Sequence, residues 1–356
     1  MTATTPTTRG RGPSVRPGAP ARDDSIDRVA PVRNDLDDLV ARARDGSPRA
    51  VAQLISLVED GGSGGGSEQA RALAAALAPH TGHAVVVGLT GSPGVGKSTT
   101  TSALVGSLRA ADRRVGVLAV DPSSPFTGGA LLGDRVRMSE HATDPGVFIR
   151  SMATRGHLGG LTAAAPQALR VLDAAGCDVV LVETVGVGQS EVEVVALADT
   201  TVVLLAPGMG DGVQAAKAGV LEIADVFCVN KADREGADAT VREVENAMAM
   251  SRRGGGPGWR APVVRTVAAA GEGIDELRAA IDSHRVWMVE HGRGDEGRRR
   301  RARAEIEAIA LADLRAQLRA VSGSAALDHL AGEVAGGGLD PFAAADRLRE
   351  AAVDEG

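Results

Sequence analysis

Residues 91–98 have the residue types and spacing of a phosphate-binding loop. They read Gly91-Ser92-Pro93-Gly94-Val95-Gly96-Lys97-Ser98, with a strand-like run before them and a helix-like run after them. The glycines let successive backbone N–H groups turn toward one anion, and the helix that follows points its positive end there. Lys97 is expected to reach the β- and γ-phosphates, Ser98 to bind Mg²⁺, and Thr99 to line the loop. A chance glycine turn is the competing interpretation, and the flanking strand and helix patterns disfavour it.

The motif Asn230-Lys231-Ala232-Asp233 indicates the base of the nucleotide. A carboxylate such as that of a buried Asp233 can accept hydrogen bonds from the N1–H and the 2-amino group of guanine. Adenine has an acceptor at N1 and no 2-amino group, and leaving a buried group unmatched costs about 1–3 kcal/mol. The motif Thr266-Val267-Ala268 ends the next predicted strand, and its backbone is expected to approach the guanine O6. The sequence therefore predicts GTP as the nucleotide.

Two acidic residues stand at predicted strand ends and could serve metal and water chemistry. Asp121 follows the predicted strand Val115–Val120, and Glu183 ends the next one and opens Glu183-Thr184-Val185-Gly186. Ordinary GTPases have Asp where this chain has Glu183, and a glutamate can act on Mg²⁺ through a bound water. The Gly186 N–H is expected to contact the γ-phosphate. A helix N-cap is the alternative role for either acid.

The elements that must position these residues form an alternating pattern. Six short β-branched runs are separated by helical stretches, at Val85–Leu89, Val115–Val120, Val179–Glu183, Thr201–Ala206, Val226–Asn230 and Val263–Val267. Such near-continuous apolar strands are typical of a mostly parallel sheet flanked by helices, with ligands at the carboxyl ends of the strands. The predicted fold class is therefore an α/β P-loop NTPase.

Composition shifts divide the chain into four predicted parts. Residues 1–33 read as a disordered tail, 34–83 as a helical segment in which Ser47-Pro48 starts a helix, 84–284 as the GTPase domain, and 285–356 as a helical C-terminal region. The run Arg298–Arg301 could be a nucleic-acid patch or one side of a solvated or partner-facing helix. The second interpretation is favoured because Glu305 and Glu307 follow and the chain is acidic.

The overall composition argues against several classes of function. The net charge of −7 and the scarcity of aromatic residues, with two Trp, four Phe and no Tyr, disfavour nucleic-acid binding. Cys177 and Cys228 lie in apolar stretches far apart in sequence, which is typical of small buried residues in a reducing cytoplasm. No run of about 18 apolar residues occurs, so no membrane-spanning helix is expected.

Several longer motifs make the prediction more specific. They are Asp121-Pro122-Ser123-Ser124, Leu132-Gly133-Asp134-Arg135, Ser151–Leu161, Glu183–Glu191 and Pro207–Asp211. Together they closely resemble the methylmalonyl-CoA mutase-associated G proteins of the MeaB/ArgK type, from about residue 35 to beyond residue 285. The resemblance implies a GTPase of the SIMIBI class that acts as a chaperone for an adenosylcobalamin-dependent acyl-CoA mutase. Members use GTP hydrolysis to gate cofactor loading and protect the mutase, and usually form homodimers through a C-terminal helical extension.

The resemblance also assigns roles to individual residues. It places Lys97 and Ser98 at phosphate and Mg²⁺, and Asn230 and Asp233 at the base. Asp121, Asp134 and Glu183 are expected around the metal and the switches, and Asp134 or Gln189 is expected to orient the water. Residues 208–217 match an additional switch that responds to the mutase.

Other GTPase and kinase functions remain as alternatives. A metal- or cofactor-insertion GTPase of another enzyme shares the fold but would be expected to carry a Cys/His cluster, whereas His80 and His83 are the nearest pair. A small-molecule kinase would need a second substrate pocket, for which the sequence has no motif. A targeting GTPase would be expected to contain a Met-rich hydrophobic module, whereas the seven Met residues of this chain are scattered.

Overall fold

The computed structural model describes Met1 and residues 35–61, 68–122, 138–154, 164–184, 197–208, 223–251, 258–321 and 325–354. Among these residues, seven strands form one sheet in the order β3-β2-β4-β1-β5-β6-β7, and every neighbouring pair is parallel. The strands are β1 Val85–Thr90, β2 Val115–Pro122, β3 Val147–Thr154, β4 Val179–Thr184, β5 Thr200–Leu205, β6 Val226–Asn230 and β7 Val263–Thr266. The predicted α/β class is confirmed, and so are the six predicted strands.

The sequence pattern did not predict β3, which lies at one edge of the sheet. The first five residues of β3 are half-buried, whereas β4, β5 and β6 are buried along their whole length. Arg150 and Ser151 interrupt its apolar run, and Arg150 pairs with Glu59. An edge strand with polar residues lacks the near-continuous apolar signature that reveals a central strand.

Helices cover both faces of the sheet. In chain order they are α1 (35–44), α2 Pro48–Gly61, α3 Glu68–Leu77, α4 Lys97–Ala110, α5 Ala164–Ala174, α6 Ala237–Ser251, α7 Ile274–Glu290, α8 Glu296–Val321, α9 Ala325–Ala335 and α10 Pro341–Asp354, with short 3₁₀ turns at Ala78–His80, Ser139–His141 and Ala268–Ala270. Side chains alternate along each strand, so Val86 joins the core beneath α1, α2, α3 and α5, while Val87 joins the core beneath α4 and α7. None of the helices in the described ranges is both long and apolar enough to cross a membrane.

The N-terminal helical segment packs on the sheet as its periodicity predicts. The Ser47 hydroxyl accepts a hydrogen bond from the Ala50 N–H at 3.3 Å, which is an N-cap contact at the predicted helix start. The apolar positions at helical spacing in α2, namely Val51, Leu54, Ile55 and Val58, are all buried. This segment therefore belongs to the same core as β2 and β4.

Helix α7 packs against the amino ends of β5 and β6. The His284 ring bonds through Nδ1 to the Thr200 hydroxyl at 2.9 Å, and its Nε2 lies 3.4 Å from the Asp225 carboxylate. Burial lowers the pKa of His284 to about 4 and raises the pKa of Asp225 to about 6. Trp259 donates to the Asp225 carbonyl oxygen at 2.7 Å and packs beside His284. The helix continues through the predicted domain boundary at residue 284, and the division into four parts stays a prediction.

The arginine run at the start of α8 fastens this helix to the segment that precedes β5. Arg300 donates to the carbonyl oxygen of Ala198 at 2.6 Å, and Arg301 donates to that of Leu197 at 2.9 Å and to Asp199 at 2.7 Å. The Arg301 side chain is only 14% exposed, so the prediction of a solvated or partner-facing position is wrong for this residue. Its partners lie about a hundred residues earlier in the chain, and local charge patterning does not reveal them.

Asp199 forms hydrogen bonds both with Arg301 of α8 and with Val86 of β1. One carboxylate oxygen accepts from Arg301 and the other from the Val86 N–H at 2.9 Å, while the Asp199 N–H donates to the Val86 carbonyl at 2.7 Å. A Cβ atom on Gly297, which is buried in α8, would lie 2.0 Å from Asp199 Oδ1. The helix can approach the core this closely because residue 297 has no side chain.

Replacing Gly297 by Ala should therefore destabilise the protein, because the added methyl group overlaps a carboxylate that accepts hydrogen bonds from Arg301 and from the Val86 N–H. We expect a loss of about 1–3 kcal/mol in the free energy of unfolding, measured by urea denaturation. Gly332→Ala is the matched control, since nothing lies within 4 Å of its added Cβ on α9. An unchanged or higher midpoint for Gly297→Ala would contradict the packing described at Asp199.

Candidate nucleotide site

The backbone conformation of the loop between β1 and α4 requires glycine at two positions. Gly91 and Gly96 have φ values of 143° and 97°, in the left-handed region. A Cβ on Gly91 would lie 2.3 Å from the Leu204 carbonyl oxygen, and one on Gly96 would lie 2.4 Å from Asn230 Nδ2. The glycines of the motif thus allow the loop to pack directly on the ends of β5 and β6.

The start of α4 supplies phosphate-binding groups inside that loop. The first backbone hydrogen bond of the helix runs from Thr100 N–H to the Gly96 carbonyl at 2.9 Å, so the amides before Thr100 belong to the helix's open positive end. Lys97, only 6% exposed, donates from Nζ to the carbonyl oxygens of Gly91 at 2.7 Å and Ser92 at 3.2 Å. Its ammonium therefore sits within the concavity where phosphate is predicted.

The remaining predicted loop residues differ in what they can offer. Pro93, Gly94 and Thr99 are exposed, and Ser92 is half-buried. Val95 points its side chain into the core beside α4, with 1% exposure, so only its backbone is available to a ligand. The loop can thus offer mostly backbone groups to a bound anion.

Glu183 lies at the bottom of this loop, opposite Ser98. The Ser98 hydroxyl donates to Glu183 Oε1 at 2.6 Å, and both residues are buried. Glu183 is inside β4, beside Leu89 of β1 and Ala119 of β2. Asp121 lies inside β2, opposite Ala153 of β3, and nothing further is described of its side chain. Both acids therefore occupy strand residues at the carboxyl edge, and the N-cap alternative is wrong for Glu183.

The predicted base motif is tied to the phosphate loop. Asn230, which is 3% exposed, donates from Nδ2 to the Val95 carbonyl at 2.9 Å, and its Oδ1 accepts from Ala268 N–H at 3.1 Å. Lys231, with a left-handed φ of 57°, donates from Nζ to the Gly94 carbonyl at 2.6 Å. The two motifs, more than 130 residues apart, thus form one site.

Two details of the base pocket differ from the expectation. Asp233 is exposed in this structure, so the prediction of a buried carboxylate is wrong, and a bound base would itself have to cover the group. The Ala268 N–H is engaged by Asn230, and the Val267 N–H donates to the Glu272 carbonyl at 3.0 Å. These two backbone groups shape the pocket wall by holding Asn230 and the turn after β7.

The structure gives Thr266 a side-chain contact where the sequence predicted only a backbone role for its motif. Thr266 donates its hydroxyl to Asn230 Oδ1 at 3.1 Å and is 1% exposed. Its place in the predicted base-pocket motif is therefore as expected, and the contact of its hydroxyl with Asn230 is the new finding. Asp134, Gly186 and Gln189 lie outside the described residues.

Comparisons with known proteins agree with this geometry. A family described as methylmalonyl-CoA mutase-associated GTPase MeaB matches residues 51–322. A putative GTPase of Pyrococcus abyssi is 48% identical over 314 residues, covering 88% of this chain and 95% of that protein. A probable GTPase of Mycobacterium bovis is 44% identical over 259 residues, covering 72% and 76%. A crystal structure described as a LAO/AO transport system kinase is similar with a TM-score of 0.62 and 27% identity, covering 88% of this chain and 96% of that one.

Substitution of Asp233 tests whether its carboxylate recognises the base. Guanine presents two donors to a carboxylate, whereas xanthine presents one donor and one acceptor, which an amide can match. Asp233→Asn should therefore weaken GTP binding on the order of 100-fold and bring xanthosine triphosphate to comparable or higher affinity, measured by calorimetric titration. The control is Glu235→Gln, an exposed carboxylate of the same loop, which should keep the preference for GTP. Retained GTP preference in Asp233→Asn would remove Asp233 from the base site.

Proposed function

The chain belongs to the family of methylmalonyl-CoA mutase-associated GTPases, MeaB, and from this we propose that it is a GTP-hydrolysing chaperone of an adenosylcobalamin-dependent acyl-CoA mutase. It gates the loading of adenosylcobalamin into the mutase and protects the mutase from inactivation. The reaction is the hydrolysis of GTP to GDP and phosphate. The observation that carries the nucleotide half of this proposal is the Asn230 amide, which joins the base motif to the phosphate loop.

The donor set around Ser98 fits Mg²⁺. A buried hydroxyl and a buried carboxylate, Ser98 and Glu183, meet at 2.6 Å next to the phosphate loop, and Mg²⁺ prefers oxygen ligands. Ser98 would hold the ion directly, while Glu183 and Asp121 act on it at the carboxyl edge of β4 and β2. Mg²⁺ held there would supply positive charge to the phosphate oxygens.

The protein's own groups account for positioning and charge in the reaction. Phosphoryl transfer needs an aligned nucleotide and neutralised phosphate oxygens more than it needs covalent chemistry. Lys97 exchanges its bonds to the Gly91 and Ser92 carbonyls for bonds to the β- and γ-phosphates. Gly186 contacts the γ-phosphate, and Asp134 or Gln189 orients the attacking water. Intrinsic hydrolysis is slow, and the mutase stimulates it.

The mutase half of the proposal rests on the family. Its description names methylmalonyl-CoA mutase as the associated enzyme, and it matches residues 51–322 of this chain. That range includes the GTPase core and the whole of α8, which Arg301 fastens to Asp199. An acyl-CoA mutase of the methylmalonyl-CoA type is therefore the partner to test first.

We also propose that the protein forms a homodimer through its C-terminal helices. Six large apolar side chains on α7 and α8 are exposed, namely Val286, Val289, Ile306, Ile309, Leu311 and Leu314, and Phe342 on α10 is 83% exposed. Apolar surface of this extent on neighbouring helices is typical of an interaction face. A second copy of the chain would cover it.

Placing a charge on that face should separate the two subunits. Ile306→Asp, at a side chain 69% exposed in the monomer, buries an unpaired carboxylate in the dimer and should shift the protein to monomer, measured by light scattering after gel filtration. Met250→Asp on α6 is the matched control, because Met250 is 71% exposed and lies away from the C-terminal helices. A wild-type monomer, or a dimer that survives Ile306→Asp with Ile309→Asp, would contradict this interface.

The chaperone role is tested by adding an adenosylcobalamin-dependent acyl-CoA mutase to the full-length protein. We expect a complex on gel filtration and at least a tenfold rise in GTP hydrolysis, roughly, since partner proteins stimulate GTPases by supplying order and charge. Lys97→Ala should lose tight GTP binding and all stimulated turnover, because it removes the ammonium that Gly91 and Ser92 hold within the loop.

The outcomes separate the alternatives. No complex and no change in rate would remove the chaperone role and leave the GTPase. Phosphorylation of a small molecule from GTP without any mutase would favour a kinase. Unchanged GTP affinity in Lys97→Ala would contradict the phosphate site itself.

A further inference from the structure

Behind the base motif lies a chain of buried polar side chains that the proposed reaction does not use. Cys228 on β6 and Thr266 at the end of β7 are 0% and 1% exposed. Cys228 Sγ lies 3.2 Å from Thr266 Oγ1, and Thr266 Oγ1 lies 3.1 Å from Asn230 Oδ1. Since residues two apart on a strand share a face, Cys228 and Asn230 point to the same side of the sheet.

The backbone groups that contact the Asn230 amide determine the direction of every hydrogen bond in this series of side chains. The Asn230 amide meets a carbonyl, that of Val95, and an N–H, that of Ala268. Its NH₂ must therefore face Val95 and its oxygen must face Ala268, because a carbonyl only accepts and an N–H only donates. Asn230 Oδ1 is then also the acceptor for Thr266, whose single hydroxyl proton is used in that bond. The Thr266 oxygen can consequently only accept from Cys228.

Cys228 is suited to be that donor. Burial raises the pKa of its thiol to about 12, so the thiol keeps its proton at any physiological pH. Without the thiol, the oxygen of Thr266, a residue that is 1% exposed, would lose its donor. The hydroxyl would then be free to rotate away from Asn230.

We propose that Cys228 and Thr266 are positioning residues for guanine-nucleotide binding, which hold the Asn230 amide in the one orientation that ties the phosphate loop to the base pocket. They touch no ligand themselves. Thr266 fixes Asn230, and Cys228 fixes the Thr266 hydroxyl. Gly96 completes the arrangement, because any side chain there would collide with Asn230 Nδ2. This inference rests on the guanine-nucleotide binding of the proposed function and not on the mutase.

The chain contains a matched control for Cys228. Cys177 is the other cysteine, is also buried, and also has a pKa raised by burial to about 12. It precedes β4, so it lies at the amino end of the sheet, away from the nucleotide site. The same substitution at both positions separates loss of the thiol contact from loss of packing.

The experiment measures the affinity and the dissociation rate of GDP labelled with a fluorophore on its ribose, using the full chain. Cys228→Val removes the donor at similar volume, and we expect about threefold faster dissociation; Thr266→Val should give about tenfold. Cys228→Ser keeps a donor and should stay within about twofold of wild type, as should Cys177→Val. The double variant Cys228→Val/Thr266→Val should equal Thr266→Val alone, because the thiol acts only through that hydroxyl.

Additive effects in the double variant, or equal effects of Cys228→Val and Cys177→Val, would overturn the relay and leave Cys228 as packing. Urea denaturation verifies that each variant is folded, and Cys228→Ala replaces Cys228→Val if the larger side chain prevents folding. Wild-type protein that failed to bind GDP would overturn the proposed function as well. Normal binding with unchanged variants would overturn the relay alone.

Discussion

The site depends on one buried amide, that of Asn230. A buried amide has to be satisfied on both its oxygen and its nitrogen, and here each atom finds a backbone group from a different part of the chain. The nitrogen binds Val95 in the phosphate loop, and the oxygen binds Ala268 after β7. The loop can come this close because Gly96 has no side chain. The geometry of the phosphate loop and that of the base pocket are therefore not independent.

Most of the sheet could be predicted from the sequence because its central strands are buried on both faces. Val179–Thr184 and Val226–Asn230 read as apolar runs for that reason. Edge strand β3 was missed, since Arg150 and Ser151 are compatible with a half-solvated position. Helix starts were predicted where a local cap exists, as at Ser47. Local periodicity thus reports burial, and it is silent where burial is partial.

The candidate site was predictable to the extent that its chemistry is local. Gly91 to Ser98 and Asn230 to Asp233 are short motifs whose spacing reflects their own backbone geometry. Contacts between distant segments were not predictable in the same way. The Glu183–Ser98 hydrogen bond and the Thr266–Asn230 bond join residues that no local pattern relates. The exposure of Asp233 depends on the loop after β6, and its motif says nothing about that.

The phosphate loop lies at the carboxyl end of the sheet and the contact with α8 lies at its amino end, and β1 runs between them. At the carboxyl end, β1 continues into the phosphate loop, where Gly91 packs on the Leu204 carbonyl. At the amino end, both backbone groups of Val86 are held by Asp199, which also binds Arg301 of α8. Only four residues lie between Val86 and Gly91, and β1 is a central strand hydrogen-bonded on both sides. The strand that leads into the phosphate loop is therefore the same strand to which Asp199 and Arg301 fasten α8.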